Sequence, residues 1–264
     1  MNNIALGRYL PLDSLMHKMD PRAKILAMLI VMISIFIPSG FSGYGIIASC
    51  VLIALFISKL KLSMILKSLK PMLFMLFLLS VINALVLRTG TVIFTLGSFT
   101  LYSDALNQTA YITVRLVLMI MVTTILTAST KPLDLTLGIE DLLKPFKRFG
   151  FPAHEIAMMI SIALRFIPTL IEETDRIMKA QASRGVDLKE GTLKEKLMAI
   201  LSLIVPLFVS SFQRAEELAD AMEARGYVPS AVRTRYKVLQ RTLKDNILLL
   251  ICFSLLGVTI WMSL

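Results

Sequence analysis

The sequence predicts an all-α fold, a polytopic membrane helix bundle that carries long cytoplasmic amphipathic helices. Three observations lead there. Uncharged apolar stretches long enough to cross a hydrocarbon core of about 30 Å recur along the chain. Hydrophobic residues make up 56% of the 264, more than a soluble domain of this size carries. The net charge of +10 is concentrated on alternate connecting segments, as expected for loops that stay on the cytoplasmic side.

The first apolar stretch, Ile25 to Ile57, runs 33 residues without charge. As one helix it would reach about 50 Å, too long for the core. Its middle reads Pro38-Ser39-Gly40-Phe41-Ser42-Gly43, a breaker cluster, so two short spans joined by a tight outer turn are expected. Asp20-Pro21 supplies an N-cap and a first-position proline for the first helix. Lys24 at one end, and Lys59 and Lys61 at the other, are placed to snorkel to the interface. A third span is expected from about Pro71 to Leu87 and a fourth from about Thr109 to Ala128. Between them, Gly90, Gly97 and several β-branched residues read as an outer loop lying on the membrane. The last span is Asn246 to Leu264.

The layout is therefore a membrane domain over 1–128 with four spans, a cytoplasmic domain over 129–243 and a fifth span over 244–264. With the N-terminus cytoplasmic, the inner segments hold Arg8, Lys18, Arg22 and Lys24, then Lys59, Lys61, Lys67 and Lys70, then most of the remainder. The outer segments hold essentially only Arg88, a strong positive-inside bias. A seven-span rival would add Ile156 to Ile171 and Leu197 to Phe212. It would also place Lys179, Arg184, Lys189, Lys194 and Lys196 outside, against that bias. Asn83 and Arg115 fall at similar depth in the outer half of their spans. Arg115 is expected to bond Asn83 or nearby backbone, or to snorkel to lipid phosphate. Met1 to Lys24 lacks an apolar h-region followed by a small-residue cleavage site, so no cleaved signal peptide is expected.

The cytoplasmic segment carries a repeat. After a short amphipathic helix over 129–150, a long helix is expected from about Pro152 to Arg184, closed by Gly185. The next opens at Thr192-Leu193-Lys194-Glu195, a capping box, and runs to Arg225 before Gly226. The endings match: Ala182-Ser183-Arg184-Gly185 and Ala224-Arg225-Gly226, 41 residues apart. Acidic residues precede both, Glu172, Glu173 and Asp175 in one helix and Glu216, Glu217 and Asp220 in the other. Each helix has an internal proline, Pro168 or Pro206, expected to kink it. Ordinary capping explains one such ending, since arginine suits a last turn and glycine the residue after it. Two copies in one segment point further. An arginine at a helix tip, flanked by small residues, can enter a groove and grip a carboxylate with both arms of its guanidinium.

These paired Arg-Gly endings, with Asp20-Pro21-Arg22-Ala23-Lys24 and Ala163-Leu164-Arg165-Phe166-Ile167-Pro168, resemble the T component of energy-coupling factor transporters over essentially the whole chain. One departure is Ser183, where the family motif usually has alanine; serine is also small. The resemblance implies a multi-pass protein of the plasma membrane with a cytoplasmic N-terminus. Its partners would be two cytoplasmic ATP-binding-cassette ATPases and a membrane substrate-binding S component, either dedicated or one of several interchangeable ones. Arg184 and Arg225, with their neighbours Ala182, Ser183, Gly185, Ala224 and Gly226, would each dock one ATPase. ATP-driven closure would then move the two coupling helices and drive uptake of vitamins or other micronutrients.

The residues themselves agree with a non-enzymatic role and no cofactor. No Gly-x-x-x-x-Gly-Lys-Ser/Thr phosphate loop is present, so the energy must come from another chain. No catalytic Ser/His/Asp or Cys/His set is apparent. His17 and His154 lack ligand partners at metal spacing, and Cys50 and Cys252 lie in apolar runs, so no metal site is expected. The basic charge sits beside apolar spans, which suits the anionic inner leaflet of the bilayer and not nucleic acid. The predicted spans hold no acidic residue, which argues against the alternative of a stand-alone transporter or channel driven by protons or sodium. A lipid-modifying enzyme would want a carboxylate or histidine cluster at the inner interface, and the acidic residues read instead as surface ion pairs. Among sixteen methionines, Met158, Met159, Met178, Met198 and Met222 lie on the two long helices. They are either ordinary packing or a pliable platform for interchangeable partners.

Overall fold

A computed structural model of the chain describes residues 9–37, 40–86, 89–96, 99–145, 152–186, 192–228 and 239–263. It falls into two compact units. One comprises residues 1–142 and 239–264, the other residues 143–238.

The first unit holds α1 (Leu15–Lys18), α2 (Pro21–Phe36), α3 (Gly40–Ser58), α4 (Leu62–Val86), α5 (Ser103–Ser129), α6 (Pro132–Leu143) and α9 (Leu243–Ser263). Asp20 caps α2 as expected, accepting from the Arg22 backbone N–H at 2.8 Å, with Pro21 in the first turn. The 33-residue apolar stretch is broken where the sequence predicts, α2 ending at Phe36 and α3 starting at Gly40; Pro38 and Ser39 lie outside the described residues. The centre of the unit is α2, packed chiefly on α9 and α5, with α3 also on α5 and α4 on α5. Ile35, Ile47, Val51, Leu55, Leu118 and Met121 form the buried core. Serine and threonine hydroxyls inside these apolar helices bond back to the carbonyl one turn earlier, as Ser34 does to Ile30 and Thr123 to Met119. The hydroxyl protons of Ser34 and Thr123 are then matched within their own helices.

Five local expectations change. α4 begins at Leu62, not near Pro71, which sits inside the helix. Membrane helices tolerate such a proline, and the extra turns carry Lys67 and Lys70. α5 begins at Ser103, six residues before the expected start, and α9 at Leu243. The outer loop contains an antiparallel hairpin, β1 (Val92–Leu96) with β2 (Phe99–Tyr102), Thr95 opposite Thr100. Its β-branched and aromatic residues were strand formers read as loop. Lys24 does not snorkel. It is 4% exposed, and its Nζ donates to the Ser129 carbonyl at 3.1 Å and to Thr130 Oγ1 at 3.2 Å. The unpaired carbonyls at the end of α5 present partial negative charge, which a cation satisfies.

The expected Arg115–Asn83 pair is also not formed. Asn83 donates to Thr109 Oγ1 at 3.1 Å. Arg115 donates through Nε and Nη2 to the Tyr44 hydroxyl at 3.2 and 2.9 Å, and its guanidinium lies 5.6 Å from the Phe36 ring centre. The partners come from the end of α2 and the start of α3, which depth along α4 and α5 alone does not reveal. The Tyr44 phenol and the Phe36 ring face answer the charge by dipole and quadrupole.

The second unit holds α7 (Ala153–Ser183) and α8 (Leu193–Ala224), of 31 and 32 residues. Each runs unbroken through its proline, Pro168 or Pro206. The short helix expected over 129–150 is α6, which ends at Leu143 and packs with the first unit; Gly150 lies outside the described residues.

Among the described residues, six helices are long and apolar enough to cross a membrane by length and composition: α3, α4, α5, α9 and also α7 and α8. α2, at 16 residues, covers about 24 Å.

Candidate functional site

The two repeated endings adopt the same local structure. In α7 the Gly185 N–H donates to the Ala182 carbonyl at 3.0 Å and the Val186 N–H to Gln181 at 3.1 Å. In α8 the Gly226 N–H donates to Glu223 at 2.8 Å and the Tyr227 N–H to Met222 at 2.9 Å. Both are Schellman closures, which satisfy two of the last helical carbonyls. They need a left-handed residue, and Gly185 at φ +81° and Gly226 at φ +71° supply it. The arginines stand just before, at φ −89° and −90°. Ala182, Ser183, Arg184 and Gly185 are exposed, as are Ala224, Arg225 and Gly226. The conformation thus presents each arginine at the outermost point of its helix, with no bulky neighbour beside it. Thr192 and Glu195 form the expected capping box, each side chain meeting the other's backbone N–H, at 3.4 and 2.8 Å.

The helices pair in opposite senses. Glu173 of α7 meets Arg214 of α8 at 3.3 Å, and Gln181 donates to the Ser202 carbonyl at 3.2 Å. Later residues of α7 thus meet earlier residues of α8, and the two Arg-Gly tips point away from each other. Ser202, level with Gln181, stands roughly 35 Å along α8 from Arg225 at 1.5 Å per residue. The acidic residues before the tips are in part ion-paired within the unit, Glu173 with Arg214 and also with Arg176 at 3.7 Å. The middle of α8 leaves Ile204, Val205, Phe208 and Phe212 exposed. Met159 and Met198 are also exposed, while Met158, Met178 and Met222 are half-buried.

Sequence reasoning missed a second polar constellation. Within the first unit, Asp245 of α9 is fully buried and accepts the Thr242 N–H at 2.7 Å, the Thr242 hydroxyl at 2.8 Å and the Asp20 N–H at 2.9 Å. Arg22 donates to both carboxylate oxygens of Asp20, at 3.2 and 3.1 Å, and lies 3.4 Å from the Asp141 carboxylate. Thr242-Leu243-Lys244-Asp245 has capping spacing and could have located the start of α9. Nothing local in the sequence joins Asp20 to Asp245. A cluster of carboxylates, the feature a lipid-modifying enzyme would want, is thus present. Asp20 and Asp245 are engaged by backbone N–H groups, Arg22 and Thr242, an arrangement that suits anchoring. His17 is tied similarly, Nδ1 2.6 Å from Ser14 Oγ and Nε2 2.9 Å from the Leu10 carbonyl. Among the described residues no group of three or more His, Cys, Asp or Glu is disposed to hold a metal ion.

A family model described as CbiQ, cobalt transport protein, matches residues 13–236. The chain belongs to that family. Relatives named energy-coupling factor transporter transmembrane protein EcfT agree over nearly full length. That of Clostridium kluyveri is 44% identical and covers 99% of both chains. That of Bacillus subtilis is 42% identical over 93% of both, and that of Brevibacillus brevis 43% over 99% of this chain and 98% of its own. With six helices apolar enough to span, membership in the family makes this a multi-pass membrane protein of the energy-coupling factor transporter type.

Proposed function

We propose that the chain is the coupling subunit of an energy-coupling factor importer. It joins two cytoplasmic ATPases to a membrane S component and passes ATP-driven motion between them, for uptake of vitamins or other micronutrients. Cobalt ion, which the family's description names, belongs to that cargo class. The observation that carries the reading is the pair of identical Schellman-closed tips, each offering an exposed arginine, Arg184 or Arg225, and pointing in opposite directions. Two similar tips, well separated, suit two similar partners.

In this reading the N-terminus and the second unit are cytoplasmic, and α2, α3, α4, α5 and α9 span. α7 and α8 are amphipathic arms whose apolar faces, with Met159 and Met198 exposed, receive the S component. The positive-inside distribution of charge supports this orientation over a seven-span one. The chain itself catalyses nothing and needs no cofactor.

Purification of the tagged chain from its native membrane tests the proposal. Two ATPase copies, identical or different, should accompany it, with at least one small apolar membrane protein carrying a bound micronutrient. A chain that purifies alone and moves solute unaided in proteoliposomes would contradict it.

A further inference from the structure

We propose that Arg22 is a positioning residue that clamps together the two points where the arm-bearing unit joins the membrane bundle. The inference rests on the coupling reading above. The second unit begins at Leu143 and ends at Val238, so the chain leaves the first unit beside Asp141 and re-enters it at Leu239. One guanidinium holds both points. Arg22 Nη1 lies 3.4 Å from Asp141 Oδ2, and Nη2 donates to the Leu239 carbonyl at 2.7 Å.

The clamp is itself fixed in the bundle. Nε and Nη2 donate to the Asp20 carboxylate, whose side chain is fully buried, and the Asp20 N–H donates to Asp245 at the start of α9. The Asp141 carboxylate is 7% exposed and the Arg22 side chain 25%. α6 can approach because Gly138 lies against α2. A Cβ there would stand 3.1 Å from the Pro21 and Ile25 side chains and 3.4 Å from the Arg22 backbone nitrogen. Only a planar fork reaches two carboxylates and a carbonyl at once; a lysine ammonium on its flexible stem serves one direction at a time.

The chain links the arms to the bundle at these two points, so motion of the arms acts on both. With both held by Arg22 they move as one body, and α2 and α9 move with them. With the clamp loosened, the two connections yield separately and the motion is dissipated before it reaches the bundle.

The test uses the complete complex with its ATPases in nanodiscs. Spin labels on the exposed positions Leu133 of α6 and Leu243 of α9 report the distance between the two connections. In wild type one narrow distance is expected, with and without ATP. Arg22→Lys and Asp141→Asn should leave ATPase docking and ATP hydrolysis at wild-type level, yet split the distance into two populations under turnover. Gly138→Val, which pushes α6 from α2 without altering the clamping residues, should do the same and is read if Arg22→Lys fails to accumulate. A purely structural role would broaden the distance equally without ATP, and that result overturns the proposal. One unchanged narrow distance in all three variants, with ATPases docked and hydrolysing, overturns the clamp alone. Absence of ATPases from the wild-type preparation overturns the coupling reading and the clamp with it.

Discussion

Replacing Arg184 and Arg225 together by alanine is expected to strip both ATPases from the complex while leaving a folded membrane bundle. Each arginine sits at an exposed, Schellman-closed tip, so its removal disturbs nothing within the helix. What it removes, in the proposed reading, is the guanidinium that would pair with a groove carboxylate on the partner. Truncating one side of such a desolvated pair costs about 2–5 kcal/mol, mostly because the carboxylate is left buried and alone. That is roughly a 30- to 4,000-fold loss of affinity per site. Single changes should each release one ATPase, and Arg→Lys should rescue poorly for want of the planar fork. Gly185→Ala and Gly226→Ala test the tip conformation separately. A Cβ at either position meets nothing within 4 Å, so only the left-handed backbone is penalised, by about 1–2 kcal/mol. Subunit stoichiometry, ATP hydrolysis and substrate uptake check the double variant; wild-type values for all three would remove the tips from the mechanism.

Asp245→Ala should destabilise the membrane bundle more than any surface change. The fully buried carboxylate accepts two backbone N–H groups and a hydroxyl, and it ties the start of α9 to Asp20 at the start of α2. Alanine orphans the buried Asp20 N–H, at about 1–3 kcal/mol, and removes the partner of the Thr242 N–H and hydroxyl, which exposure lets water replace, for a total of about 2–4 kcal/mol. Asp245→Asn keeps the shape and one acceptor and should fall between. Thermal unfolding in detergent reads the difference, and an unchanged midpoint for Asp245→Ala would contradict the network's role.

What the sequence made legible is local. A cap, a capping box or a Gly closure is encoded by residues three or four apart, so Asp20-Pro21, Thr192 with Glu195, and both Arg-Gly endings appear as read. Spans are legible because lipid demands uninterrupted apolar length, although their ends extend past the uncharged stretch, as α4 does through Lys67 and Lys70. Pairings across the bundle were not legible. Arg115 could be placed by depth, but whether Asn83 or Tyr44 met it depends on the rotation of α3 and α5, which no single span fixes. Lys24 read as a snorkelling cation because the end of α5, 105 residues away, is invisible from its own helix. The Arg22 clamp is hidden for the same reason, since Asp141 and Leu239 are distant in the chain and Leu239 contributes only a carbonyl.

Site-directed photocrosslinking reads directly whether each tip touches its own ATPase. A photoreactive residue replaces Ala182 in one variant and Ala224 in another, in membranes containing the whole transporter. An adduct with an ATPase is expected from each position, formed independently. Adducts confined to lipid or to the S component, in a preparation whose ATPases are bound and active, would contradict it.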